Sequence, residues 1–316
     1  MPHAIAVVMD PIGSIRIAKD TTFAMLLEAQ RRGHALHYVL PGSLGVSGGR
    51  AHATLAPLRV ADDASAWFEL GPARLRPLAD MAAVLMRKDP PVDAEFVYDT
   101  QVLSLAQDEG VLVVNDPQGL RDLNEKLAAL LFPQCCPPTV VSRDAQVLRA
   151  FVAEHGACIL KPLDGMGGRS IFKTAPGDPN LNVIIETLAD GGRRLAMAQR
   201  YIPEIAAGDK RILLVDGVPV DYALARIPQG DEFRGNLAVG GRGVGQPLSE
   251  RDRWIAAQVA PELRRRGMLF VGLDVIGDYL TEVNVTSPTC VRELDAQFGL
   301  NISAQLFDVI EARLGA

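Results

Sequence analysis

The sequence predicts two mixed units, a parallel helix-covered α/β sheet over residues 1–122 and an α+β unit over 123–316. Three observations carry this expectation. Short apolar runs alternate with helical periodicity over the first third of the chain, the rhythm of β-α-β units. Beyond residue 119 the turns join strand to strand, as in antiparallel hairpins. A chain of 316 residues also exceeds what one small core usually serves.

AIAVVM (4–9) is a short apolar run stopped by Asp10-Pro11, and reads as a first strand. TTFAMLLEAQRR (21–32) places Phe23, Leu26, Leu27 and Gln30 at helical spacing, with Thr21 or Thr22 as a cap and Gly33 as the stop. ALHYVL (35–40) and AAVLMR (82–87) read as strands, the second cut off by Lys88-Asp89-Pro90-Pro91. A helix near 94–109 and the strand VLVVN (111–115) follow. Residues 42–80, rich in Gly, Ala and Pro, give no clear element. GLRDLNEKLAALLF (119–132) reads as one helix, and CILKPL (158–163) and IFKTA (171–175) as strands joined by Asp-Gly-Met-Gly-Gly (164–168). RILLVDGVPVDYALARI (211–227) reads as a hairpin turning at Asp216-Gly217. Ser249 and Asp252 form a capping box opening a helix to Arg266, and NISAQLFDVIEARLG closes the chain as a helix.

The net charge of −6 argues against a nucleic-acid partner, whose phosphates want a basic face. No apolar stretch approaches the roughly 20 residues of a membrane span. The start MPHAIAVVMDP lacks a basic region and reads as a strand, not a secretion signal. Cys135, Cys136, Cys158 and Cys290 make no C-x-x-C pair, which fits a reducing cytoplasm.

The chemistry concentrates in GLDVIGDYLTEVNVTSP (272–288). Alternation along a strand puts Glu282 and Asn284 on one face and Val283 and Val285 on the other. Asp274 joins that polar face if it pairs with Glu282, which calls for a loop of odd length around Gly277-Asp278. Pairing with Thr281 would destroy the arrangement. Two carboxylates and an amide are hard oxygen donors of the kind Mg²⁺ accepts while keeping waters and phosphate oxygens. A solvated polar hairpin face would show the same pattern; the apolar neighbours and the following Ser287-Pro288-Thr289 weigh against it.

Lys161 sits inside an apolar strand, and a buried ammonium needs an anion; a phosphate qualifies. The glycine loop after it, with Gly165, Gly167 and Gly168, can approach an anion through its backbone. It is neither a Walker loop nor a dinucleotide turn. Lys126 is a second candidate cation. AMAQRYIPE (196–204) could line an adenine pocket at Gln199, Tyr201 and Ile202. Residues 226–243 hold five glycines with Arg226, Arg234 and Arg242, the composition of a lid bearing cations. Arg87 stands at the end of a sheet strand, where α/β folds bind ligands, and Arg211 opens a strand toward the same cleft.

MDPI (9–12), KDTTFAMLLEAQRRG (19–33), MRKDPP (86–91), NEKL (124–127), ILKPLDGMGG (159–168), LARIPQG (224–230), RGNLAVGGRG (234–243) and VGLDVIGDYLTEVNVTSPTC (271–290) together resemble the bacterial glutathione synthetases, end to end. The resemblance implies an ATP-grasp fold: an N-terminal parallel α/β domain, a central lid domain (about 126–200) and a C-terminal mixed-sheet domain (about 201–316). It implies ATP-dependent joining of γ-glutamylcysteine and glycine through an acyl phosphate. Lys126 and Lys161 would hold ATP phosphates under the 164–168 loop, Gln199 to Ile202 would meet adenine, and Asp209 the ribose. Asp274, Glu282 and Asn284 would bind Mg²⁺, with Mn²⁺ a possible substitute. Arg87, Asn236, Ser287 and Thr289 would hold the dipeptide or glycine. Arg211, Arg226 and Arg242 are the catalytic candidates, the last coming down with the lid. Position 200 is Arg where some relatives are expected to carry a smaller polar residue. The resemblance also implies a homotetramer. Rival readings are another ATP-grasp ligase, which MRKDPP and RGNLAVGGRG would discriminate, and a non-catalytic nucleotide-binding protein, against which the metal triad and lid arginines argue.

Overall fold

A computed structural model of the chain describes residues 2–165, 167–230, 235 and 240–315. Arg234 and Asn236, two of the expected substrate-side residues, lie outside the described residues.

The N-terminal sheet starts with β1 (Ala4–Val8), α1 (Thr21–Arg31) and β2 (Ala35–Val39). The cap of α1 is Asp20, whose carboxylate accepts from Phe23 N at 2.6 Å, and not Thr21 or Thr22. Those two threonines are buried and hold other segments: Thr21 Oγ1 accepts from Val291 N, and Thr22 Oγ1 from Arg87 Nε. Residues 42–80 contain β3 (Leu44–Ser47), β4 (Arg50–Val60), β5 (Phe68–Leu70) and β6 (Arg74–Pro77). β4 pairs antiparallel with β2, β3, β5 and β6. Its buried face begins Ala51, Ala53, Leu55. That is strand alternation written in small residues, which mutes the apolar signal.

β7 (Ala83–Met86), α2 (Ala94–Asp108) and β8 (Leu112–Val114) complete the sheet. β1 pairs parallel with β2 and β7, and β7 with β8. The carboxyl ends of β1 and β7 are level, Val8 beside Met86, so Arg87, Lys88 and Asp89 emerge at the ligand-binding edge of the parallel strands.

The expected helix over 119–132 is broken. α3 (Pro117–Asp122) stops, and a 3₁₀ turn follows at Ala128–Leu131. Asn124 causes the break: its Oδ1 accepts from the backbone N–H of Lys126 and of Leu127, both at 3.1 Å, offering the chain an alternative to the helix ladder.

β9 (Thr139–Ser142), α4 (Ala145–His155), β10 (Cys158–Pro162), β11 (Phe172–Thr174), α5 (Leu181–Ala189) and β12 (Ala196–Arg200) form an antiparallel four-stranded sheet, order β11-β10-β12-β9, under two helices. β13 (Asp209–Val215), β14 (Val218–Ile227), β15 (Arg242–Pro247), α6 (Glu250–Arg265), β16 (Phe270–Ile276) and β17 (Tyr279–Asn284) give a five-stranded sheet, order β15-β14-β13-β16-β17. The capping box at Ser249 and Asp252 is present. α7 (Val291–Phe298) and α8 (Ile302–Leu314) pack back on α1. Cores of the N-terminal and five-stranded sheets are continuous: Val8, Leu55 and Val84 share a cluster with Ile212, Leu273 and Val283. The four-stranded sheet has a core of its own, Leu148, Val152, Leu160, Ile185 and Leu188 among its members. Among the described residues, no helix is long and apolar enough to cross a membrane.

Candidate active site

The charged residues are laid out by strand alternation. On β13, Asp209 and Arg211 share a face; Asp209 lies opposite Arg226 on β14, and Arg211 opposite Asp274 on β16. Asp274 in turn lies opposite Glu282 on β17, with Asn284 two residues on. The register is the one that joins the three oxygen donors, but the odd-length loop is not its cause. Gly277-Asp278 is a two-residue turn, with Ile276 opposite Tyr279. The parity is restored by a bulge: Glu282 faces Asp274 and Leu280 faces Val275, leaving Thr281 over. Thr281 Oγ1 donates to Asp274 O at 3.1 Å, which stitches the bulge.

This face forms one wall of a cavity of about 290 Å³. The four-stranded sheet supplies the opposite wall, with Ile159 and Lys161 of β10, Gln199 and Arg200 of β12, and the glycine loop; Asp89 and Pro90 come from the N-terminal sheet. Lys161, Gly165, Gly167, Gly168, Gln199, Tyr201, Ile202, Asp209, Arg211, Arg226, Asp274, Glu282, Asn284, Ser287 and Thr289 all line it.

Every acidic group on the sheet wall faces a cation. Arg211 grips Asp274 with two nitrogens, Nε at 2.6 Å and Nη2 at 3.1 Å, and Arg226 Nη2 reaches the same carboxylate at 2.8 Å. Arg226 also donates to Asp209. From the opposite wall Lys161 Nζ comes within 3.4 Å of Glu282 Oε1, and Lys126 Nζ, from outside the cavity lining, lies 3.6 Å from it. Lys126 is 2 % exposed, donates to Gly165 O at 2.7 Å and pairs with Glu125. Burial alone would raise the carboxyls of Asp274 and Glu282; Arg211 and Arg226 hold the first below the usual carboxylate range, and Lys126 and Lys161 the second. Burial pushes Glu125 up, with Glu282 adding to it. Burial likewise pushes Asp209 up, its Arg226 contact opposing and Asp274 adding. Asp209 Oδ1 is buried with no hydrogen-bond partner among the described residues.

Three expected residues do not line the cavity: Lys126, Arg87 and Arg242. Arg87 is buried behind the wall, donating to Thr22 Oγ1 at 3.1 Å and to Pro288 O at 2.9 Å, its pKa lowered by burial to about 10. Arg242 is exposed at the first residue of β15 and does not line the cavity. Sequence reasoning overlooked Glu125, an apolar set of Ile159, Ile171, Ile205 and Ile276, and the part played by Arg200. Ile159 was accessible to it, since it shares a face with Lys161. Arg200 donates to Tyr279 Oη at 3.0 Å, tying the two sheets together.

The hard oxygen donors, on one face and held ionised by their cations, fit a divalent cation of the Mg²⁺ class. Three packed sheets, with a charged cavity between the four- and five-stranded ones, make an ATP-grasp fold. Solved structures with this fold include the ATP-grasp ligase PsnB complexed with minimal precursor, Mg and ADP (TM-score 0.62, 18% identity, 99% of this chain and 98% of that one). D-cycloserine synthetase DcsG is similar at TM-score 0.67 and 15% identity, over 98% of this chain and 100% of that one. Within the class, residues 4–121 match the N-terminal domain of prokaryotic glutathione synthetase and 125–299 its ATP-grasp domain. The glutathione synthetase of Xanthomonas axonopodis pv. citri is 76% identical over 308 residues, 98% of both chains, and that of Pseudomonas aeruginosa 60% over 316, 100% of both. The chain belongs to the prokaryotic glutathione synthetase family.

Proposed function

We propose that the chain joins γ-glutamylcysteine to glycine using ATP, releasing ADP and phosphate. The observation that carries the reading is the polar band Asp274–Glu282–Asn284 on one cavity wall, with Lys161 and Lys126 beside Glu282, in a chain 76% identical to a protein named glutathione synthetase. A carboxylate and an amine do not condense in neutral water, so the carboxylate must be activated. The cysteinyl carboxylate attacks the γ-phosphorus of ATP, ADP leaves, and an acyl phosphate forms. The unprotonated glycine amine attacks the acyl carbon; phosphate departs and the new nitrogen loses a proton.

In this reading Lys126 and Lys161 release Glu282 and turn to the ATP phosphates, beside the backbone of Gly165, Gly167 and Gly168. Ile159, Ile171, Ile205 and Ile276 offer an apolar slot for the base next to Gln199, Tyr201 and Ile202. The backbone N–H groups of Arg200 and Tyr201 already donate to Pro138 O and Ala157 O, so a backbone contact to the base falls to Ile202. The unpartnered Oδ1 of Asp209 suits a ribose hydroxyl. Asp274, Glu282 and Asn284 would hold Mg²⁺, or Mn²⁺ in its place, which supplies neutralising charge to the phosphates when bound. Arg211 and Arg226 place positive charge where the carboxylate is phosphorylated, and Ser287 and Thr289 offer hydroxyls to the peptide. Arg87, expected to hold the peptide directly, would instead act on it through the Ser287–Thr289 segment, donating to Pro288 O. The work is positioning and charge compensation, with no nucleophile from the protein.

The four cysteines are free, which supports a cytoplasmic setting. A homotetramer rests on the family resemblance, and light scattering of the purified protein would test it. The function itself is tested by ADP release with γ-glutamylcysteine, with and without glycine, against other dipeptides. Expected is ADP and tripeptide in equal amounts, dependent on glycine; absent or glycine-independent turnover would overturn the reading.

A further inference from the structure

Among the described residues, five carboxylate side chains line the cavity: Asp89, Glu125, Asp209, Asp274 and Glu282. Four are engaged by lysine or arginine, as described above. Asp89 forms no ion pair among the described residues, and its immediate neighbours explain why. Arg87 turns inward to Thr22 and Pro288 O. Lys88 turns away, its Nζ 5.2 Å from the centroid of the Phe96 ring. Asp20, the other carboxylate near Arg87, is occupied by Phe23 N at the start of α1. The backbone of Asp89 is nonetheless held in place, its N–H donating to Asp10 Oδ2 at 3.0 Å. An exposed carboxylate on a pinned backbone thus lines the cavity with no directly paired cation among the described residues, the buried Arg87 being the positive charge on which it acts.

The reaction proposed above has one cation that takes no part in bond making, the α-ammonium of the glutamyl residue. The reacting end of the dipeptide belongs near Lys161 and the Asp274–Glu282 wall. The glutamyl end then reaches the wall built by the N-terminal sheet, where Asp89 stands and where Arg87 is joined to the Ser287–Thr289 segment through Pro288 O. We propose that Asp89 accepts the α-ammonium of the γ-glutamyl group and selects peptides that carry it. This assignment rests on the function proposed above and adds to it a residue that reads one end of the substrate. A charge-assisted contact of this kind is worth roughly 10- to 100-fold in binding.

The test compares γ-glutamylcysteine with N-glutarylcysteine, which lacks only the α-amino group, in the intact protein and in Asp89→Asn. The wild type is expected to prefer the amino-bearing peptide by about 10- to 100-fold in kcat/KM. Asp89→Asn is expected to raise KM for γ-glutamylcysteine by a similar factor, to leave KM for ATP unchanged, and to use both peptides equally well. Asp89→Glu, which returns the charge, should restore part of the preference. A variant that makes product but still rejects N-glutarylcysteine as strongly as the wild type would overturn this assignment alone. A wild type giving no glycine-dependent product from γ-glutamylcysteine would overturn the parent reading and this one with it. An Asp89→Asn protein that no longer binds ATP would assign the residue to folding and also count against the proposal.

Discussion

The four-stranded and five-stranded sheets face each other over the cavity, yet they are supported differently. Behind the five-stranded sheet, Ile212, Leu273 and Val283 join the core of the N-terminal sheet. Behind the four-stranded sheet lies only the separate cluster under α4 and α5. Among the described residues, polar contacts between the two sheets near the cavity include Lys161 to Glu282 and Arg200 to Tyr279. The wall with most of the buried charge is therefore the one with the deepest apolar backing. That is physically reasonable, because Asp274 with its two arginines must be desolvated, and only an extensive core offsets such a cost. The other wall brings fewer charges on a body whose packing does not depend on its partner.

The strongest way to break this contrast is Asp274→Ala. Arg211 and Arg226 then keep their charges without the shared carboxylate, so stability should fall by about 3–5 kcal/mol and ligase activity should vanish. Urea denaturation checks it, and an unchanged midpoint would show that the arginines find other partners. Leu160→Ala probes the opposite wall. A cost of about 2–5 kcal/mol is expected, confined to residues 139–200. Hydrogen exchange should show faster amides in β10 and β12 and unchanged ones in β13 and β16; equal acceleration in both sheets would join what the cores separate.

Lys161→Met sharpens the comparison at the level of ligand. Its nitrogen is 3.4 Å from Glu282, a loose contact, so the melting temperature should change little while the ATP dissociation constant rises roughly 10- to 100-fold. Calorimetric titration would read both sides of that claim. The smallest effect concerns pH. Glu282 has its pKa lowered on folding, so the stability it contributes is present above its unfolded value, about 4.3, and is lost as pH falls through the lower folded value. The stability difference between wild type and Glu282→Gln should therefore be constant near neutrality and shrink below about pH 4. A difference that grows in acid would reverse the assignment of its charge partners.

The cavity wall was largely legible along the chain because strands alternate faces. Period two alone places Glu282 beside Asn284, and Asp209 beside Arg211. Less legible was what depends on partners far away. Asn124 ends a helix whose apolar periodicity runs on to Phe132, and thereby aims Lys126 and Glu125 into the site. The threonines that resemble caps of α1 are instead used to hold Arg87 and Val291. The Asp274–Glu282 register was expected for the wrong reason: the bulge at Thr281 does what an odd loop would have done.

By itself the sequence determined the alternating strands and helices of residues 4–39 and 82–115, the polar face of the 272–288 hairpin and the family to which the chain belongs. These follow from local periodicity and from segments long enough to be specific. Only the tertiary structure decided which charges meet. It joined Asp274 to two arginines from other strands, brought Lys126 and Lys161 to Glu282, drew Arg87 behind the wall and left Asp89 facing the cavity. Such pairings are set by where separate elements pack, and no spacing along one strand encodes them.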